Sequence, residues 1–121
     1  MRIFKNTWFT RFADKEGITN TELKETVDRL ETGHADADLG GDVYKMRVAR
    51  QGEGKSGGYR VIVFFRSEER TFFVYGFAKS DKENINRNDL RIFKNRSKDA
   101  FSMTEAQINS QLREGNLIEV F

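Results

Sequence analysis

The sequence predicts an α+β fold, with N-terminal helices packed on a small antiparallel sheet and further helices towards the C-terminus. Three observations lead there. Between Asp42 and Lys79, three strand-like runs follow one another, Val43–Ala49, Tyr59–Arg66 and Thr71–Ala78, and read as an antiparallel meander. Ahead of them, capping signals open two helical stretches. After them, apolar residues return at helical spacing in two further stretches. The 121 residues form one domain, 1–121, large enough to bury a core without disulfide staples.

Taken in order, Ile3-Phe4 reads as a short first strand. Asn6 then caps a helix over Thr7–Ala13, in which Trp8, Phe9 and Phe12 are spaced as core residues and Gly17 supplies the stop. Thr19-Asn20-Thr21-Glu22 fits a capping box, and Ile18 with Leu23 fits a hydrophobic staple. Leu23, Val27 and Leu30 form the apolar stripe of this second helix, which covers the sheet and ends at Gly33. His34–Gly41 is a loop by composition.

In Val43–Ala49 the period of two sets Tyr44, Met46 and Val48 on one face, with Lys45 and Arg47 on the other. Val61–Phe65 is apolar on both faces, as a central strand requires, and Tyr59 points away from the face of Arg60. Gln51–Gly58 between these runs reads as a glycine-rich loop. Asn84 or Asn86 caps a helix running to about Ala100, with Leu90, Phe93, Ser97, Ala100 and Phe101 on its apolar side. Ser102-Met103-Thr104-Glu105 reads as another capping box, before a helix carrying Ile108 and Leu112 and ending at Gly115. Leu117–Phe121 alternates like a strand.

The absence of cysteine excludes disulfides, thiol nucleophiles and thiolate metal sites. Neither a signal-peptide core nor a membrane-length apolar run is present, so a cytoplasmic, membrane-free protein is expected. The net charge of +2 is unevenly spread: residues 42–66 and 79–98 each carry +4, whereas 1–41 carry −2 and 99–121 carry −3. Basic charge in the middle strands and the following helix suits a polyanion or an acidic protein partner, or is simply solvated surface. Arg87, Arg91, Lys94 and Lys98 form a basic stripe beside the apolar side of that helix.

Gly54-Lys55-Ser56 imitates the end of a phosphate-binding P-loop. That motif needs glycine where Ala49 stands and a helix after the Lys-Ser, whereas here a strand follows, which excludes nucleotide hydrolysis. The loop instead offers bare backbone amides and Lys55 as a clamp for a phosphate chain. The sole histidine, His34, has Asp36 and Asp38 nearby, a poor metal set, so no metal or cofactor is expected.

Leu39–Ala49, Gly54–Ile62 and Phe77-Ala78-Lys79, with the order K-x-R, G-K-x-G-G-x-R and G-x-x-K, resemble the RelE superfamily of toxins, more narrowly the HigB-like branch of type II toxin–antitoxin modules. The resemblance implies a RelE-like fold on a twisted antiparallel sheet, and an endoribonuclease that cuts mRNA on the ribosome. It also implies neutralisation by a cognate antitoxin, commonly a helix-turn-helix protein.

Lys45, Arg47, Arg60 and Lys79 match the family's basic positions. Ser80 and Asn86 stand where many members carry an arginine and a tyrosine. Attack by the RNA's own 2′-OH needs a proton acceptor, cations for the phosphorus oxygens and a donor for the leaving 5′-oxygen. Arg47 and Arg60 are expected to hold the phosphate and its transition state, and Lys45 or Lys79 to act as base or acid. Lys55, Lys82, Arg87, Arg91 and Lys94 are expected to bind flanking RNA. The competing classes are a non-enzymatic gyrase inhibitor resembling ParE and a plain nucleic-acid-binding module, because a fold alone does not separate them.

Overall fold

The computed structural model describes residues 1–50, 54–79 and 85–121, apart from the side chains of Arg50 and of residues 54–57. The elements are β1 (Arg2–Asn6), α1 (Thr7–Glu16), α2 (Asn20–Glu31), β2 (Ala37–Gly40), β3 (Val43–Arg50), β4 (Gly54–Arg66), β5 (Arg70–Ala78), α3 (Arg87–Ser102), α4 (Glu105–Glu114) and β6 (Leu117–Val120). Among the described residues the strands make one sheet in the order β2-β3-β4-β5-β1-β6. The expected meander β3-β4-β5 is present and antiparallel. The sheet as a whole is mixed, because β1 lies parallel to β5, with Phe4 opposite and stacked on Phe72 at 5.3 Å. Strand direction across so long a connection has no local signature in a sequence.

Helices cover both faces. Phe9 and Ala13 of α1, with Leu23, Val27 and Leu30 of α2, pack on Met46, Val48, Tyr59, Val61 and Val63. On the other face Ile108 of α4 and the half-buried Leu90, Phe93 and Phe101 of α3 pack against Phe4, Val43, Ile62, Phe64 and Phe72. This double cover explains why Val61–Phe65 is apolar at every position.

The helix starts follow the polar signals. Asn6 Oδ1 accepts from the Phe9 N–H at 2.7 Å, Thr19 and Glu22 form the reciprocal capping box, and Asn86 caps α3. The last box is displaced by two residues. Ser102 donates its hydroxyl to the Lys98 carbonyl at 2.6 Å and closes α3, so Thr104 caps α4 with Gln107 reaching back. Glu105 is thereby released to bind Arg2 and Arg70.

Three other expectations change. Ala37–Gly40, a loop by composition, is an edge strand held by pairing with β3. Gly54–Gly58 belongs to β4, with Gly54 opposite Arg50, so most of the expected glycine loop is strand, and Gln51–Glu53 lies outside the described residues. Glycine content signals a turn, whereas pairing with a neighbouring strand is a tertiary event. Trp8 is 45% exposed rather than core, its ring stacked on Tyr75 at 4.5 Å.

One irregularity in β5 sets which way its later side chains point. Phe73 pairs with Val63 and Tyr75 with Ile62, leaving Val74 without an opposite residue, a β-bulge. Phe73 faces α1 and α2, whereas Val74 and Tyr75 both face α3 and α4. The bulge therefore reverses the alternation for the rest of the strand. Gly76 then turns towards α1, where an added Cβ would lie 2.5 Å from Phe12 Cε2.

Gly76→Ala is expected to destabilise the protein by about 1–3 kcal/mol, because the Phe12 ring is hemmed in by Trp8, Phe9 and Tyr59 and must move. A thermal melt shows this as a fall in Tm, and an unchanged Tm would contradict the close approach.

The termini are joined by charge. Arg2 grips Glu119 with a two-pronged contact at 2.8 and 2.9 Å, which holds the Glu119 carboxyl below the usual carboxylate range. A depressed value means that this contribution is present above the ordinary carboxylate pKa and lost as pH falls through the folded one. Glu119→Gln is expected to cost about 1 kcal/mol near neutral pH, with the difference from the parent shrinking as pH falls below 4.5 in melts across that range.

Candidate functional site

The cations sit at the end of the sheet near the β3–β4 hairpin, on the α3–α4 face. Lys45 and Arg47 project there because Val43, two residues earlier, is buried on that face. The register sets Arg47 directly opposite Arg60 and Lys45 opposite Ile62. The N–H and C=O of Arg47 bond to Asp36 and Arg29, away from β4. Arg47 and Arg60 are therefore a non-hydrogen-bonded pair, whose Cα atoms in antiparallel sheet are about 4.5 Å apart, the closer of the two spacings.

Arg60 lies opposite Phe77, and Lys79 follows two residues further along the chain. The Lys79 N–H donates to the Gly58 carbonyl at 3.1 Å, extending the ladder by one residue. Because of the bulge at Val74, the alternation carries Tyr75, Phe77 and then Lys79 to the face of Arg60. A regular strand would have turned Lys79 to the α1–α2 side. Diagonal neighbours across a sheet are about 7–8 Å apart, so Lys45 and Lys79 both stand within side-chain reach of Arg60, although Lys79 is not among the residues lining the cleft.

Asp36, Ala37, Lys45, Arg47 and Arg60 line a polar cleft of about 280 Å³. That is slightly below the ~300 Å³ at which sites for drug-sized ligands begin, and it has room for a phosphodiester with part of its sugar. The cleft exists because β2 begins only at Ala37, opposite Lys45, leaving the side of Arg47 uncovered by another strand. Composition alone assigns Asp36 to a loop with His34 and Asp38. Its place in the cleft comes from the β2 register, which no local pattern announces.

The other candidates separate. Arg87, Arg91 and Lys94 are exposed on α3 and line a different groove with Leu90 and Asn95, so the stripe is real but does not join the cleft lining. The Lys94 side chain lies across the turn after β2, its Nζ 3.3 Å from where a Cβ on Gly40 would stand. Lys55 has its backbone in β4 while its side chain is outside the description, and Lys82 lies outside the described residues. His34 is exposed and does not line the cleft, its Nδ1 2.9 Å from Thr32 Oγ1. Among the described residues no group of three or more His, Asp or Glu gathers as a metal site. Among them too, no helix is long and apolar enough to cross a membrane.

A mixed sheet between two helical layers, with a row of cations at one end, defines a small α+β protein. Residues 1–120 match the family model described as the RelE toxin of the RelE/RelB toxin–antitoxin system. The chain belongs to the RelE toxin family, and membership implies a cognate antitoxin as its partner.

His34→Ala is expected to leave toxicity intact on induction in growing cells, because the ring lies outside the cleft, whereas removing a general acid or base would cost about 10²–10⁴-fold. Loss of growth arrest would return the histidine to the site.

Proposed function

We propose that this toxin is an endoribonuclease that cuts mRNA on the ribosome by attack of the 2′-OH on the adjacent phosphodiester. The observation that carries the proposal is the direct pairing of Arg47 with Arg60 beside Lys45 in a cleft of phosphodiester size. Arg47 and Arg60 stand opposite each other across the two strands, so an oxyanion drawn to one lies within side-chain reach of the other. The pentacoordinate transition state concentrates more negative charge on the phosphorus oxygens than the ground state does, so the pair favours it selectively. Planar N–H forks suit those oxygens.

In this scheme one of Lys45 and Lys79 accepts the 2′-OH proton as the O–P bond forms. The other gives a proton to the 5′-oxygen as its bond to phosphorus breaks, leaving a 2′,3′-cyclic phosphate and a free 5′-OH. Arg87, Arg91 and Lys94 bind RNA flanking the cleft, as Lys55 and Lys82 also would. The antitoxin that answers this toxin is a helix-turn-helix protein, as the resemblance to the HigB-like branch implies.

Primer extension on transcripts after induction tests the proposal. Defined new 5′ ends are expected with the parent and a loss of about 10²–10³-fold in cutting with Arg60→Ala or Arg47→Ala, the range for removing one transition-state donor. The variants are expected to stay folded, since Arg47 is exposed and Arg60 only half-buried, which a thermal melt checks. Growth arrest with intact messages and failed DNA supercoiling would replace nuclease action with gyrase inhibition.

A further inference from the structure

We infer, resting on the phosphate-binding role proposed for Arg47, that Arg29 and Asp36 are positioning residues that hold the Arg47 backbone and so aim its guanidinium into the cleft. Arg47 presents its N–H and C=O towards the side where β2 would lie, and β2 has no backbone there to meet them. An ion pair takes that place. Asp36 Oδ2 accepts from the Arg47 N–H at 2.7 Å and from an Arg29 guanidinium N–H at 3.0 Å. A second N–H of Arg29 donates to the Arg47 carbonyl. One carboxylate and one guanidinium thus supply the acceptor and the donor of a missing strand residue, through charge-assisted bonds stronger than those of an ordinary ladder.

The arrangement ties Arg47 to the core. Arg29 projects from α2, which is anchored by the buried Val27 and Leu30 on either side of it in sequence. The two paired side chains are themselves only 22% and 25% exposed. Without them the Arg47 backbone would be held only through its neighbours Met46 and Val48, which pair with β4. The direction of the Arg47 Cα–Cβ bond, and with it the reach of the guanidinium, would then vary with fraying of that edge. Misplacement of a reacting or stabilising group by about 1 Å costs on the order of 10²-fold in rate. Asp36 also lines the cleft, so a purely electrostatic role, repelling the phosphate chain, is the alternative that the test must separate.

The experiment follows cutting of a defined message on programmed ribosomes by excess purified toxin, with the saturating rate and the half-saturating concentration read separately. Asp36→Ala and Arg29→Ala are expected to lower the saturating rate by about tenfold or more with half-saturation shifted by about twofold at most. Asp36→Asn keeps an acceptor for the Arg47 N–H and is expected to recover to within about threefold of the parent.

A parental saturating rate in the alanine variants overturns the inference. So does a loss as large in Asp36→Asn as in Asp36→Ala, or an effect confined to half-saturation. Arg47→Ala is run beside them. Full cutting by Arg47→Ala would remove the site assignment itself, whereas a disabled Arg47→Ala beside fully active Asp36→Ala and Arg29→Ala would remove only the positioning role. Should Asp36→Ala fail to fold, Arg29→Ala decides.

Discussion

Everything at the candidate site depends on the register between β3 and β4, which places one arginine directly opposite another. That register is enforced from the opposite face. Slipping by one residue would turn Met46 and Val48 out of the core and Lys45 and Arg47 into it. The hydrophobic cost of that exchange holds the register in place. The core thus holds Lys45, Arg47 and Arg60 on the same face of the sheet.

Two irregularities then set which groups stand around that pair. The bulge at Val74 turns the last part of β5 over, so that Lys79 arrives on the side of Arg60. The late start of β2 leaves the flank of Arg47 to a carboxylate and a guanidinium. A perfectly regular sheet of the same sequence would have a covered Arg47 and a Lys79 turned to the opposite face. The site is assembled where regular pairing breaks off.

Charge at the surface is organised at a second place, where Arg2, Arg70, Glu105 and Glu119 join β1, β5, α4 and β6. Arg70 also donates to the Met103 carbonyl at the α3–α4 junction. These contacts fasten the C-terminal segment to the first strand, at the far end of β5 from Lys79. The stability network and the candidate site therefore draw on different cations, and the site arginines carry no structural duty in that network.

The sequence by itself determined the elements whose signals are local. Caps at Asn6, Thr19 and Asn86, the two-sided apolar run Val61–Phe65 and the alternation of Val43–Ala49 were legible because backbone N–H satisfaction and face periodicity depend on neighbours a few residues away. The same alternation put Lys45 and Arg47 on one face. Tertiary structure alone decided the parallel place of β1, the strand state of Ala37–Gly40 and Gly54–Gly58, the exposure of Trp8 and the entry of Asp36 into the cleft. Apart from Trp8, whose exposure follows from how α1 sits on the sheet, each of these turns on pairing with a strand remote in sequence. No pattern along the chain records which backbone will be waiting on the other side.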